Sequence, residues 1–163
     1  MDCKHRIGLG HDTHRLENGG PLRLGGIDIP FDKQAVGHSD ADVLLHAITD
    51  AILGAAALGD IGEFFPDTDP ANRGKDSGQM LATAVDAVSR SGYSIVNIDC
   101  VVLAERPKLL PHREAIRASI AALLRIAPER VSLKGKTGEQ TGAIGRSEII
   151  QAMVVCLIEP AAL

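Results

Sequence analysis

Strand-like and helix-like stretches alternate along almost the whole of this chain, and that alternation restricts the folds open to it. Arg6 to Leu9 begins a strand that leads into Asp12 and His14. Asn18-Gly19-Gly20-Pro21 is a turn, and Leu22–Leu24 and Ile27–Ile29 flank Gly25-Gly26 as a short hairpin. Ser39 or Asp40 is placed to cap a helix reaching Leu58, where Gly59 ends it. Within it Val43, Leu44, Ala47, Ile48, Ala51 and Ile52 recur at helical spacing. A second helix runs from Ser77 to Ser91 on a stripe of Met80, Leu81, Ala84, Val85 and Val88. Tyr93 to Ala104 is rich in β-branched residues and reads as a strand. Pro111 suits the first turn of a third helix, with Ile116, Ile120, Leu123 and Leu124 inward. Val131–Lys136 and Glu148–Ile158 are closing strands. The expectation is an α/β chain of the two-layer α+β kind. It has a mixed four-stranded sheet with helices packed on one face, plus a small hairpin. Gly59 to Gly78 reads as a long structureless loop, which in a compact domain is usually functional or mobile.

The 163 residues suit one domain, 1–163, able to bury roughly 70% of its unfolded surface. With one Tyr, three Phe and no Trp, the core must be aliphatic. A net charge of −4, no basic run and almost no stacking aromatics exclude general nucleic-acid binding. Cys3, Cys100 and Cys156 are odd in number and widely spread, and they read as reduced thiols. No signal-type apolar stretch or membrane-spanning run occurs, so no membrane partner and a cytoplasmic location are expected.

Four of the six histidines fall in Gly10-His11-Asp12-Thr13-His14 and in the stretch from His38 to His46. On a strand, groups at i and i+2 share a face, roughly 6.6 Å apart along the chain. A lone histidine is more often a satisfied core or surface residue than a ligand. Asp12 and His14 on a strand, with a third group from near a helix start, can hold a metal and leave a fourth position open, as catalytic zinc requires. Asp42, His46 and Asp50 follow one another at i, i+4, i+8 on a mostly apolar helix, and a metal or substrate would be a good partner for them.

The chain resembles the 2-C-methyl-D-erythritol 2,4-cyclodiphosphate synthase family over nearly its whole length. Five segments carry the resemblance, in order and at matching spacing. They are Arg6-Ile7-Gly8 with Asp12-Thr13-His14; His38-Ser39-Asp40-Ala41-Asp42 with His46; Leu58-Gly59-Asp60-Ile61-Gly62 with Phe65-Pro66-Asp67-Thr68-Asp69; Ala104-Glu105-Arg106-Pro107-Lys108 with Leu110-Pro111-His112; and Gly145-Arg146 with Glu148. The resemblance implies cyclisation of 4-diphosphocytidyl-2-C-methyl-D-erythritol 2-phosphate with release of CMP. The substrate's own 2-phosphate attacks the β-phosphorus, so positioning and charge neutralisation carry the reaction. It further implies a homotrimer, sheets around the three-fold axis, with active sites at subunit interfaces. The central channel in some members holds an isoprenoid diphosphate.

Residue by residue, the resemblance implies that Asp12, His14 and His46 bind one Zn2+ per subunit. Glu139 would hold a second divalent cation, Mg2+ or Mn2+, on the substrate diphosphate. His38 and Thr137 match the positions that stabilise the transition state. Asp12, Thr13, His14 and Ser39 match substrate contacts. Asp60, Ile61 and Gly62 match the ribose and erythritol contacts, and Phe65, Pro66, Asp67, Thr68 and Asp69 the loop over the methylerythritol phosphate. Ala104, Glu105, Arg106, Pro107, Lys108, Leu109 and Leu110 match the cytosine pocket. Arg146 lies near a phosphate in the family and, with Glu148, at one end of the trimer axis. This chain departs from the family's usual Thr-Thr-Thr-Glu run: Lys136, Gly138 and Ala143 stand where bulkier or hydroxylated partners are common, and Lys136 is a candidate phosphate contact.

Two other classes remain open on the residues: a zinc hydrolase using metal-bound water, and a non-enzymatic trimeric carrier of an isoprenoid diphosphate with a structural metal.

Overall fold

A computed structural model describes residues 4–161. Among these residues seven strands form, in chain order, β1 (Arg6–Asn18), β2 (Leu22–Leu24), β3 (Ile27–Ile29), β4 (Lys33–Val36), β5 (Tyr93–Leu103), β6 (Val131–Lys136) and β7 (Ile149–Pro160). The sheet has five strands, not the four expected, in the order β4-β1-β7-β5-β6, and β2 pairs with β3 alone. β4 is the missed strand. Its four residues are all half-buried, so no in-out alternation marks it, and it exists because it pairs with the far end of β1. Only β5 and β6 run parallel, so the sheet is mixed as expected.

Among the described residues there are also five α-helices: α1 (Val43–Ala56), α2 (Ile61–Phe64), α3 (Ser77–Arg90), α4 (Arg113–Leu124) and α5 (Gly142–Gly145). Asp42, rather than Ser39 or Asp40, caps α1, because only its carboxylate reaches the Leu45 N–H. Pro111 opens a short 3-10 turn, Leu110–His112, that leads into α4. The segment 59–78 is not structureless. It holds α2, capped by Asp60, and a 3-10 turn, Pro70–Asn72, capped by Asp69.

Strand parity sets the layers. Ile98, Cys100 and Val102 on β5 and Ile150, Ala152, Val154, Cys156 and Ile158 on β7 are buried beneath the helices. A bulge between Ile95 and Asn97 lets Ile95 and Ile98 both face inward although three residues apart. On the opposite face Ile7, Leu9, Met153 and Val155 are exposed at 73%, 65%, 44% and 46%. Leu44, Ile48 and Ile52 of α1 are fully buried, each contributing about 2 kcal/mol.

Gly8 and Gly10 let α1 lie directly on β1. A Cβ on Gly8 would meet the Ala51 carbonyl oxygen, and one on Gly10 that of Ala47. This notch fixes the height of α1 over the strand, and so the position of His46 relative to Asp12. Cys100 and Cys156 are buried free thiols, and Cys3 lies outside the described residues. Among the described residues no helix is long and apolar enough to cross a membrane.

Candidate active site

Asp12 and His14 sit two apart on β1, on the helix-covered face, where Gly8 and Gly10 precede them. α1 lies directly on the strand at Gly8 and Gly10, and it brings His46 next to Asp12 and His14. Asp12 Oδ2 is 3.0 Å from His46 Nδ1 and 3.0 Å from His14 Nε2, and the two ring nitrogens are 3.1 Å apart. Three ligands around a tetrahedral ion with bonds of about 2.0 Å would lie about 3.3 Å apart, so a small contraction separates this triangle from one face of a zinc shell. His14 Nδ1 donates to the Val36 carbonyl at 2.9 Å, which turns Nε2 toward Asp12. The Thr13 N–H donates to Asp12 Oδ1 at 2.8 Å and leaves Oδ2 for the triad.

Electrostatics favour a cation. Burial opposes ionisation of Asp12, yet the hydrogen bonds and charge of His14 and His46 outweigh it and hold the carboxyl well below the usual range. Burial opposes protonation of His14, but Asp12 outweighs it and draws His14 above its ordinary value. Asp12, His14 and His46 are the cluster able to hold a metal ion among the described residues.

The expected polar row along α1 divides. His46 joins the triad, but Asp42 and Asp50 do not. Asp42 is fully buried and accepts from Gly25 N at 2.9 Å, Gly26 N at 2.7 Å and Leu45 N at 3.0 Å, which fastens the β2–β3 turn to the start of α1. Asp50 accepts from Ile61 N at 2.8 Å and so anchors α2. Backbone N–H groups, not a metal, are the partners of these two.

The triad opens onto a cavity of about 430 Å3 lined by His38, Ser39, Ile61, Gly62, Phe65 and Asp67, together with Val36, Gly37, Asn72 and Met80. The last four gave no sequence signal, because apolar and amide side chains there look like any others. His38 is exposed at the mouth, and its carbonyl accepts from Gly74 N at 2.7 Å. Asp60 and Asp69 spend their carboxylates on caps. Pro66 and Thr68 are exposed loop residues outside that lining. The Thr13 hydroxyl lies on the opposite face of the sheet, within 3.1 Å of Gln151 Nε2.

A second cleft of about 430 Å3 is lined by Ala104, Glu105, Pro107, Lys108, Leu109, Leu110, Lys136 and Thr137, with Arg113, Leu133, Lys134 and Gly135. A neighbouring cleft adds Arg106 and Phe31. Glu105 accepts from Gly138 N at 3.1 Å and ties the cleft to the following loop. Thr137 Oγ1 donates to Glu139 Oε1 at 3.0 Å, so these two side chains are brought together. Gly138 has a physical reason to lack a side chain: its Cβ would lie 2.5 Å from Gly145 N. Ala143 is half-buried in α5, and Arg146 forms an exposed two-pronged pair with Glu148 at 2.8 and 3.0 Å.

The triad cavity and this second cleft share no lining residue. Asp12, Ala152, Val102 and Gly135 form one row across the sheet. Three strand spacings, about 14 Å, therefore separate Asp12 from the strand that leads into Thr137.

The YgbB family matches residues 5–159. A 2-C-methyl-D-erythritol 2,4-cyclodiphosphate synthase of Chromobacterium violaceum is 55% identical over 156 residues, covering 96% of this chain and 99% of that one. A synthase of the same name, solved with CDP bound, superposes with TM-score 0.88 at 44% identity, covering 94% of this chain and 100% of its own. The bifunctional IspDF of Campylobacter jejuni superposes with TM-score 0.93 at 39% identity; 96% of this chain corresponds to 42% of that longer protein.

Proposed function

This chain belongs to the YgbB family, and we propose that it works as a 2-C-methyl-D-erythritol 2,4-cyclodiphosphate synthase through the residues described above. Its reaction converts 4-diphosphocytidyl-2-C-methyl-D-erythritol 2-phosphate to the cyclic 2,4-diphosphate in isoprenoid precursor synthesis. An oxygen of the substrate's 2-phosphate forms a bond to the β-phosphorus. The bond from that phosphorus to the bridging oxygen breaks, and CMP departs with the oxygen and its electron pair. No protein nucleophile takes part, so the chain's task is to orient the two phosphates and offset their charge.

Asp12, His14 and His46 would hold Zn2+, one per subunit, and Glu139 would hold Mg2+ or Mn2+ beside the substrate diphosphate. When bound, these cations supply Lewis-acid charge neutralisation at phosphate oxygens. His38, exposed at the mouth of the triad cavity, donates to phosphate oxygens. Thr137, bonded to Glu139, orients the reacting groups. Ser39, Ile61 and Gly62 border the sugar, and the 65–69 segment covers the methylerythritol phosphate. The Ala104–Leu110 cleft receives the cytosine, with Lys136 and Arg146 toward phosphate.

The working form is a homotrimer with each site shared between neighbours. Two features support this: the separation of the triad cavity from the cytosine cleft, and the uncovered apolar face of Ile7, Leu9, Met153 and Val155. That face lines the central channel and is where an isoprenoid diphosphate binds; a native trimer that retains no lipid would count against the ligand. The buried free thiols fit a reducing cytoplasm.

The observation that carries the reading is the Asp12–His14–His46 triangle opening onto a cavity within a chain of this family. Incubation with the cytidylyl substrate, followed by phosphorus NMR, is expected to show CMP and a cyclic diphosphate in equal amounts. A linear phosphate product would establish hydrolysis instead, and no turnover by metal-loaded protein would leave only the carrier reading.

A further inference from the structure

Behind the triad lies a second layer that the reaction itself does not use. His46 Nε2, the nitrogen turned away from Asp12, is 2.9 Å from Ser77 Oγ and 3.0 Å from Ser39 Oγ. The two hydroxyls are not equivalent. Ser77 is fully buried at the start of α3; its hydroxyl donates to Asp40 Oδ1, and its N–H donates to Asp40 Oδ2 at 3.1 Å. A serine hydroxyl has one hydrogen. With that hydrogen committed to a carboxylate, the oxygen of Ser77 can only accept from His46. Nε2 must then carry a ring proton, which leaves Nδ1, 3.0 Å from Asp12 Oδ2, as the nitrogen whose lone pair a bound cation would take.

Ser39 Oγ accepts from Ala41 N at 3.1 Å, and Ser39 lines the cavity, where its hydrogen is available to a ligand. Asp40 is held from outside: Arg23 Nε lies 3.8 Å from Oδ2, and the Asp42 N–H donates to Oδ1 at 3.3 Å. The carboxylate thus sits within a connected series, from Arg23 on the hairpin through Ser77 to the ring on α1.

We propose that Asp40 and Ser77 are a positioning pair acting through His46: the Asp40 carboxylate orients the Ser77 hydroxyl, which holds the imidazole with Nδ1 bare toward a bound cation. This rests on the reading that the triad holds a metal. Partners of this kind fix ring orientation and ligand basicity, and their loss typically weakens metal binding by about 10–100-fold.

The test is zinc affinity of metal-free protein, measured by competition with a chromogenic chelator, together with the visible spectrum of the Co2+ form and apo-protein melting. Ser77→Ala and Asp40→Asn are expected to weaken zinc binding by about 10–100-fold and to shift the Co2+ bands. Ser77→Thr, which keeps the hydroxyl, is expected to stay within about threefold of the parent. If Ser77→Ala alters apo melting, the half-exposed Asp40→Asn decides the matter. Parent-like zinc affinity and Co2+ bands in both Ser77→Ala and Asp40→Asn would overturn the pair, as would equal losses in Ser77→Thr and Ser77→Ala at unchanged melting. A parent protein that binds no zinc would instead remove the metal reading itself.

Discussion

Gly10 of the first strand and Ala47 of the first helix meet without a side chain between them: a Cβ on Gly10 would collide with the Ala47 carbonyl oxygen. The contact lies one residue from His46 and two from Asp12, so it sets the height of the helix over the Asp12–His14–His46 triad. Gly10→Ala must lift α1 off β1. Overpacking of this kind costs about 3 kcal/mol. We expect urea denaturation to show that loss and zinc competition to show weakened binding. Parent-like stability would mean that the helix and strand do not approach this closely.

Asp42 satisfies three backbone N–H groups from complete burial. Asp42→Ala strands all three, at about 1 kcal/mol or more each. The expected result is a loss of about 3 kcal/mol, with the Gly25 and Gly26 amides losing hydrogen-exchange protection first. Asp42→Asn keeps a carbonyl oxygen and is expected to lose less.

Shared sites can be tested by mixing defective subunits. His46→Ala spoils the triad, and Glu139→Ala spoils the loop beyond β6. Each alone is expected to release almost no CMP. Co-refolded at equal amounts, a site built from two neighbours is intact in about one quarter of random pairings, so about a quarter of the parent rate should return. No recovery would place both halves within one chain.

Cys100 and Cys156 give the pH prediction. Burial pushes the Cys100 thiol up to about 12 and the Cys156 thiol up to about 11, from a usual 9.0. A folded-state value above the unfolded one means the native state keeps protons the unfolded chain releases. The resulting stability is complete below pH 9.0 and is lost as pH rises toward 11 and 12. Denaturation midpoints should therefore fall across that window, and Cys100→Ala should flatten the fall while costing about 1–2 kcal/mol at neutral pH. Native protein at pH 7 should leave both thiols unlabelled by a disulfide reagent.

Local patterns account for much of the fold. The hairpin at Leu22–Leu24 and Ile27–Ile29, the long strands β5 and β7, and helices α1 and α3 follow from periodicity and turn residues. β4 was illegible because four half-buried residues carry no period, and it forms only against the exposed end of β1. The caps of α2 and the 3-10 turn at Pro70 were hidden in a segment whose Gly, Pro and Asp content reads as plain loop.

The sequence by itself determined the chemistry: one carboxylate and two imidazoles at strand and helix spacing, in a run of segments shared with a single family. Which polar residues take part was decided in three dimensions. Asp42 and His46 are one helical turn apart, yet Asp42 is consumed by backbone amides and His46 faces Asp12, since only packing fixes which side of α1 meets the strand. Ser77 reaches His46 from 31 residues away, a closeness no local pattern records, because it arises where α3 packs beside α1.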